Sequence, residues 1–200
     1  MADRTLILAS SSPRRYELLA RIGFDAPMVP ADIDETPQPN EAPAQYVRRL
    51  AENKARAVER RSNGSDSDIV LGADTVVTID GQLLGKPADA EGARAMLKLL
   101  SGRTHEVITG VTALTFKQTF TIDVGTAVTF RSLTDTELAW YLSTGEWIGK
   151  AGAYGLQGAA AALIERVNGS GTGVIGLPLA ATVELLRSVG LDPLQPPAQA

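Results

Sequence analysis

Two long segments in the middle of the chain, 104–116 and 119–130, are rich in Thr, Val and Ile and are separated by only two residues. β-branched runs joined so tightly predict two antiparallel strands. A third such run, 69–79, is followed by Asp80-Gly81, a dipeptide typical of hairpin turns. Neighbouring strands of this kind favour an α/β fold with a mixed sheet over a strict alternation of strand and helix.

Helical patterns surround these strands. A buried strand is predicted at 5–9, and the first helix begins at Pro13 after the N-cap residue Ser12. The remaining predicted elements are helices at 43–61, 88–100, 135–143 and 177–189, a strand at 160–167, a polar surface loop at 61–68, and a frayed tail from about residue 191. The 200 residues are consistent with one domain over 1–200, or one domain with two lobes around a cleft.

Charge and composition exclude several classes of protein. The chain has 19 Lys and Arg against 23 Asp and Glu, a net charge of −4, so bulk charge does not attract nucleic acid. It has no cysteine, which excludes disulfides and thiol catalysis and suits a reducing cytoplasm. The apolar segment at 6–9 is too short for a signal peptide, and no run approaches the ~20 apolar residues of a membrane span. We expect a cytoplasmic protein without a nucleic-acid or membrane partner.

The first candidate motif, Ser10-Ser11-Ser12-Pro13-Arg14-Arg15, stands between the first strand and the first helix. Free backbone N–H groups and the helix dipole favour an anion there. The two arginines add donors that match phosphate oxygens. A capped helix with two solvated arginines explains these residues equally well.

The second candidate is Asp74, which interrupts an otherwise apolar strand. An ionised carboxylate in such a place is costly unless it is paired or binds a metal ion. Asp74 is therefore a candidate for metal binding or water activation, with a solvent-facing edge position as the alternative. Glu35 lies in the long acidic stretch 27–43 and could hold a hard cation, unless that stretch is merely solvated.

Three further features have weaker signals. Leu84-Gly85-Lys86-Pro87 resembles a P-loop only superficially, because Pro87 replaces the metal-binding Ser or Thr. Lys86 is either a phosphate-binding point charge or a turn lysine. The G-x-G-x-x-G pattern at 171–176 is not followed by a second strand with an acidic residue, so we interpret it as a turn and helix entry. His105, the single histidine, excludes a serine triad and a histidine metal cluster, and we expect it to be structural.

Taken together, these segments resemble the Maf family of nucleoside triphosphate pyrophosphatases. The resemblance extends from Leu6 to about Leu186, in the order and spacing of the family. The similar pieces are Leu8-Ala9-Ser10-x-Ser12-Pro13-Arg14-Arg15, Asp34-Glu35, Ala51-Glu52-Asn53-Lys54-Ala55, Gly72-Ala73-Asp74-Thr75, Lys86-Pro87, Leu100-Ser101-Gly102, Ala151-Gly152-Ala153-Tyr154-Gly155-Leu156-Gln157-Gly158 and Gly176-Leu177-Pro178.

The resemblance implies a two-lobed α/β fold, similar to that of inosine triphosphatases, in which a strongly curved mixed sheet is flanked by helices around a central cleft. It also implies hydrolysis of a nucleoside triphosphate to the monophosphate and pyrophosphate with a divalent cation, Mg²⁺ or alternatively Mn²⁺. Asp74 matches the catalytic proton acceptor of the family. The residues that would bind metal are Glu35 and Asp74, and those that would bind phosphate are Ser10, Arg14, Lys54 and Lys86.

Substrate preference rests on three positions. Arg15, Thr75 and Gln157 are similar to the branch of the family that acts on dTTP and UTP. An amide such as Gln157 can present both a donor and an acceptor to a pyrimidine. The resemblance thus implies clearance of dTTP and UTP or of modified pyrimidine nucleotides. A homodimer is implied by resemblance alone.

Two other functions are compatible with the sequence. One is a phosphatase that releases single phosphates. The other is a nucleotide-binding regulator of cell division without significant turnover, a role that the family name carries.

Overall fold

The computed structural model describes residues 4–61 and 68–194 of the chain. Its strands are β1 (Leu6–Ala9), β2 (Ile69–Ile79), β3 (Gln82–Leu84), β4 (Thr104–Leu114), β5 (Thr119–Phe130) and β6 (Ile164–Asn168). Its helices are α1 (Pro13–Ala20), α2 (Pro43–Glu59), α3 (Ala90–Leu100), α4 (Asp135–Ser143), α5 (Gly171–Ile175) and α6 (Leu179–Ser188), with short 3₁₀ segments at Ala151–Ala153 and Ala159–Leu163.

The strands form one mixed six-stranded sheet in the order β1-β2-β4-β5-β6, with β3 paired to β2. β1 and β2 are parallel, whereas the other pairs are antiparallel. The β2–β3 hairpin turns at Asp80 and Gly81, whose φ angles of +51° and +77° match the primed turns that suit twisted strands. The predicted α/β class with a mixed sheet and flanking helices is confirmed.

Helix α2 lies very close to the sheet because two glycines face it. A Cβ atom on Gly72 of β2 would overlap the Ala51 carbonyl oxygen and lie 2.9 Å from the Ala55 nitrogen. A Cβ on Gly110 of β4 would overlap the Val47 carbonyl in the same way. This contact brings the buried face of α2 down onto the centre of β2, where the polar residues of that strand lie.

The two largest hydrophobic clusters lie toward opposite ends of the long strands. One contains Val77 of β2 and packs against α3 and α4, and the other contains Leu71 of β2 and packs against α1 and α6. Asp74 lies between these two positions on β2. The two cores thus support a two-lobed arrangement with Asp74 at the boundary between the lobes.

The sequence-based prediction of a strand over 160–167 was wrong in its first half. Residues Ala159–Leu163 form a 3₁₀ segment, and β6 begins only at Ile164. The alanine run has neither β-branched residues nor a period of two, and a distant contact decides its conformation. The Glu146 carboxylate accepts a hydrogen bond of 2.9 Å from the Ala159 N–H, which holds the start of the segment.

Several helix and strand bounds differ by two residues from those predicted, and local hydrogen bonds explain two of these differences. Asp89 caps α3 by accepting from the Gly92 N–H at 2.8 Å, so this helix begins at residue 90 rather than 88. β4 ends at Leu114 rather than 116 because Thr115 and Gln118 close the turn with a 2.8 Å backbone bond. Helix α6 begins after Pro178, two residues later than predicted. The predicted loop at 61–68 and the tail from about 191 lie largely outside the described residues.

Among the helices of the described residues, none has the length and apolar character needed to cross a membrane.

Candidate active site

A cavity of about 420 Å³ opens between the β1–α1 junction, the middle of β2, the end of β3 and the segment 149–157. It brings together every site residue predicted from the sequence. These residues are Ser10, Arg14, Arg15, Glu35, Lys54, Asp74, Thr75, Lys86 and Gln157. They come from six separate parts of the chain, so the fold assembles them where the sequence shows only scattered polar positions.

Lys54 lies between two carboxylates at the acidic end of the cavity. Its Nζ atom is 2.6 Å from Oε1 of Glu35 and 2.6 Å from Oδ1 of Asp74. Lys54 and Asp74 are only 8% and 7% exposed, so each charge requires the other. The solvent-facing alternative for Asp74 is therefore wrong. One ammonium and two carboxylates leave one net negative charge at this end.

Glu35 is held in place from α2. The Tyr46 hydroxyl donates to the backbone carbonyl of Glu35 at 2.9 Å, and the Arg49 guanidinium stacks over the Tyr46 ring at 5.5 Å. Arg49 also donates to the Thr36 carbonyl at 3.2 Å. The acidic loop is thus fixed to the helix that carries Lys54. Tyr46 lines the cavity and was missed as a site residue, because its sequence pattern indicates only the apolar face of a helix.

The electrostatics of this end follow from these contacts. Burial alone would raise the pKa of Glu35, but the hydrogen bond from Lys54 and the charges of Lys54 and Lys86 outweigh it and lower the pKa. Burial, followed by the negative charges of Asp74 and Glu35, raises the pKa of Tyr46 to about 12. Glu35 therefore stays ionised and Tyr46 stays protonated at neutral pH.

Arg15 connects three parts of the cavity wall. Its Nε donates to the Gly176 carbonyl at 2.9 Å, its Nη1 donates to Ser10 Oγ at 3.1 Å, and its Nη2 donates to Thr75 Oγ1 at 3.1 Å. Burial lowers the pKa of Arg15, and the charge of Asp74 partly offsets that effect. A guanidinium nevertheless stays charged in proteins. Arg15 is a buried hub, so the alternative of two solvated arginines does not hold for it.

The hydrogen-bond partners of Ser10 determine whether its hydroxyl group can donate or accept toward a ligand. Its Oγ accepts from the Ser12 backbone N–H at 3.1 Å and from Arg15 at 3.1 Å, which occupies both lone pairs. The hydroxyl proton is left to donate. Ser10 is therefore suited to a ligand atom that only accepts, such as a phosphate oxygen.

Three further cations line the cavity besides Lys54 and Arg15. Arg14 and Lys86 were predicted, and Lys150 was not. The Lys150 ammonium donates to the Glu146 carbonyl, and its pKa is lowered by burial and then by the neighbouring charge of Arg14. An anion between Arg14 and Lys150 would relieve their repulsion. The available signal was the position of Lys150 directly before the matching segment 151–158.

Gln157 is an exposed residue that lines the cavity near Lys150, since a Cβ on Gly155 would lie 2.8 Å from Cε of Lys150 and 3.2 Å from Oε1 of Gln157. His105 Nε2 and the Tyr154 hydroxyl are 2.7 Å apart, which attaches the segment that carries Gln157 to β4. Burial lowers the pKa of His105 to about 4, so it is a neutral structural residue, as predicted. A polar amide thus faces the cavity from a rigid base.

The glycine-rich pattern at 171–176 forms the five-residue helix α5 and its exit. Ser170 caps it by accepting from the Gly173 N–H at 3.0 Å. The carbonyls of Gly173 and Gly176 accept from Thr109 and Arg15. The interpretation as a turn and helix entry is confirmed.

The donor set fits a hard cation only in part. Among residues 4–61 and 68–194, no group of three or more His, Cys, Asp or Glu side chains could hold a metal ion. Glu35 and Asp74 supply carboxylate oxygens, the type of ligand that Mg²⁺ prefers, and Mg²⁺ is commonly held by one or two carboxylates together with substrate phosphates. The cavity therefore suits a cation that is bound jointly with a polyphosphate.

The chain is similar to several known proteins. The profile of a family described as Maf-like protein matches residues 5–189. A protein of Myxococcus xanthus named dTTP/UTP pyrophosphatase is 52% identical over 191 residues, which cover 95% of each chain. A protein of Hahella chejuensis with the same name is 46% identical over 188 residues, 94% of each chain. Among solved structures, the Staphylococcus aureus Ham1 protein aligns with a TM-score of 0.47 and 13% identity, over 64% of this chain and 72% of that one.

Proposed function

The chain belongs to the Maf family, and on that premise we propose that it hydrolyses nucleoside triphosphates, above all dTTP and UTP, to the monophosphate and pyrophosphate. The names of the relatives from Myxococcus xanthus and Hahella chejuensis support this substrate class. One observation carries the proposal. A single cavity joins the Asp74–Lys54–Glu35 cluster, in which Asp74 and Lys54 are buried and Glu35 is exposed, to a set of cations that can pair with a triphosphate.

The phosphate chain is proposed to lie along Arg14, Lys86 and Lys150. These positive side chains offset the charge that a triphosphate brings into a partly buried site. Ser10 contributes a hydroxyl that can only donate, which suits phosphate oxygens. Lys54 has two contacts to carboxylates and one N–H left for a phosphate oxygen.

Asp74 is proposed as the proton acceptor. A water oxygen forms a bond to the α-phosphorus, the bond from that phosphorus to the bridging oxygen breaks, and pyrophosphate leaves with the electron pair. The Asp74 carboxylate takes the proton from the water. Lys54 holds Oδ1 at 2.6 Å and so orients the carboxylate. Positioning and charge stabilisation supply most of the rate in such reactions, and general base catalysis adds about 10²–10⁴-fold.

We propose Mg²⁺ as the cofactor, with Mn²⁺ as the alternative. Glu35 and Asp74 would hold it together with phosphate oxygens of the substrate. A bound cation of this kind neutralises charge on the phosphate oxygens.

Base selection is proposed to involve Arg15, Thr75 and Gln157, which lie in the same cavity as the phosphate-binding residues. Arg15 acts mainly by fixing its neighbours, whereas Thr75 and Gln157 offer polar atoms to the base. Both canonical and modified pyrimidine nucleotides could meet these groups, so a house-cleaning role is included in the proposal. Nucleoside triphosphates are made and used in the cytoplasm, where we place this activity.

The decisive experiment is a panel of nucleoside triphosphates incubated with the protein and magnesium, in which pyrophosphate and orthophosphate are measured separately. Selective release of pyrophosphate from dTTP and UTP is expected. Orthophosphate alone would indicate a phosphatase. Tight nucleotide binding without either product would indicate a regulatory binder and would contradict the proposed hydrolysis.

A further inference from the structure

A row of hydroxyl groups continues from Arg15 into the protein interior. Arg15 Nη2 donates to Thr75 Oγ1 at 3.1 Å, and Thr75 Oγ1 lies 2.9 Å from Thr109 Oγ1. Thr109 Oγ1 in turn donates to the Gly173 carbonyl at 2.8 Å. Thr109 is fully buried on β4, opposite Thr75 in the register of the sheet.

The direction of every bond in this row follows from its two ends. A carbonyl oxygen can only accept, so the single hydroxyl proton of Thr109 is used on Gly173. Thr109 must then accept from Thr75, and the proton of Thr75 is used in turn. A guanidinium can only donate, so Arg15 occupies one lone pair of Thr75.

Thr75 is therefore left with one lone pair and no proton for a ligand. It can accept a hydrogen bond from a molecule in the cavity and cannot donate one. Thr75 lines the cavity, and Gly176 places no side chain beside it, whereas a Cβ at that position would be in ordinary contact at 3.9 Å from Thr75 Oγ1 and 3.5 Å from Arg15 Nε. The φ angle of Gly176, +134°, is also one that L side chains rarely adopt.

Pyrimidine bases differ in what such an atom would meet. Uracil and thymine have one donor on their pairing edge, the N3–H, between two carbonyl oxygens. Cytosine has a lone pair at N3 and an amino group at position 4. An oxygen that only accepts is attracted to the N3–H of uracil or thymine and repelled by the N3 lone pair of cytosine.

We propose that Thr109 is a positioning residue that fixes Thr75 as an accept-only contact for the N3–H of uracil and thymine. Cytosine nucleotides are rejected for that reason. This inference rests on the proposed hydrolysis of dTTP and UTP. It adds the atom that contacts the base, Thr75 Oγ1, and the buried residue, Thr109, that makes this oxygen a hydrogen-bond acceptor only. Thr109 acts through Thr75 and does not itself contact the base.

The first test replaces Thr109 by Val, which keeps the shape and removes the hydroxyl. The Thr75 proton then has no internal acceptor and can donate into the cavity. The ratio of kcat/KM for UTP to that for CTP should fall by about tenfold, the effect of one hydrogen bond. T109S keeps the hydroxyl and should restore the ratio.

A matched control separates the loss of the Thr109 hydrogen bond from a general loss of packing. Thr112 is also fully buried on β4, and its Oγ1 pairs with Thr121 Oγ1 at 2.8 Å. T112V should alter stability without changing the UTP to CTP ratio. An unchanged ratio in T109V, or an equal change in T112V, would overturn the role of Thr109.

The second test uses the unaltered protein, so it does not depend on how a variant folds. UTP methylated at N3 lacks the proposed donor and should be hydrolysed at least about tenfold less efficiently than UTP. UTP methylated at C5 keeps the N3–H and should remain a substrate. Equal hydrolysis of the N3-methyl compound would overturn the base contact alone, whereas no hydrolysis of any nucleotide would overturn the proposed function as well.

Discussion

The Tyr154 hydroxyl lies 2.7 Å from Nε2 of His105, and this buried pair attaches the segment that carries Gln157 to strand β4. The two rings pack edge-on at 5.4 Å, and both also pack against Phe130. The segment that carries Gln157 has little regular structure of its own. Its position therefore depends on this cluster of three rings.

Stability should depend on His105 in mildly acidic solution. Burial lowers the pKa of His105 in the folded protein to about 4, from an ordinary value of 6.5. The unfolded chain therefore takes up a proton that the folded chain does not. The stabilisation is complete above about pH 6.5 and is lost as the pH falls toward 4. Urea unfolding should show a loss of roughly 2 kcal/mol between about pH 7.5 and about pH 5.

His105→Gln is the control for this pH dependence, since glutamine does not titrate. Its stability near neutral pH is expected to be lower than that of the parent, but its slope over the same pH range should be nearly flat. Equal slopes in the two proteins would show that another group is responsible.

Asp74→Asn should give a folded protein with a turnover about 10²–10⁴-fold lower, because the amide cannot accept the proton of the attacking water. The rate of pyrophosphate release from UTP measures this. Asp123→Asn is a matched control. Asp123 lies in the same cross-strand row, through Gly110, and pairs with Arg48 at 2.9 Å on the surface. Near-normal turnover of the Asp74 variant would remove it from the proposed role.

Glu35→Gln should raise the magnesium concentration needed for half-maximal activity by roughly tenfold or more, because one carboxylate ligand is lost. A magnesium titration at saturating UTP measures this. Glu52→Gln makes the same charge change on the surface of α2, where Glu52 pairs with Arg56 at 2.7 Å, and should leave the titration unaltered. If both variants have the magnesium requirement of the parent, Glu35 is not a ligand.

Gln157→Glu should weaken the preference for dTTP and UTP over CTP by about tenfold, because a carboxylate repels the carbonyl oxygens of uracil and thymine. The ratio of kcat/KM values is the measurement. Gln118→Glu introduces the same charge in the exposed β4–β5 turn and tests for a general charge effect. A substrate profile that does not change in the Gln157 variant would refute its part in selection.

Gly72→Ala should destabilise the protein by about 1–3 kcal/mol, since the added methyl group overlaps the backbone of α2 at Ala51. Urea denaturation provides the value. Gly85→Ala is the control for stability, because a Cβ there meets nothing within 4 Å. Similar stabilities of the two variants would mean that α2 can move away from the sheet at little cost.

Much of the sheet could be predicted from the sequence, because its long strands carry their signals locally. The bounds of Ile69–Ile79 and Thr119–Phe130 were predicted correctly, since β-branched runs end there in turn residues. The strand predicted over 160–167 failed at the alanine run, where a contact from Glu146 decides the conformation. Such a contact, 13 residues away in the chain, leaves no local pattern.

The site residues also divide into those with a local sequence signal and those without one. Asp74 is visible in the sequence because a charge inside an apolar strand is unusual. Tyr46 and Thr109 have no such signal, because residues of these types are common in helices and strands. Lys150 lies in an irregular segment and was indicated only by its position directly before residues 151–158. Their importance depends on which atoms lie across from them. Whether the hydroxyl groups of Ser10 and Thr75 donate or accept a hydrogen bond likewise depends on partners that only the folded chain provides.

The bond from Arg15 to the Gly176 carbonyl joins residues 161 positions apart. A ribosome adds about 5–20 residues per second, so for roughly 8 to 30 s the growing chain has this arginine without its carbonyl partner. Thr75 and Ser10 are made long before the group that locks their guanidinium neighbour. The pocket of a nascent chain is therefore incomplete until Gly176 has been synthesised. We expect nucleotide hydrolysis to begin only when synthesis is nearly over.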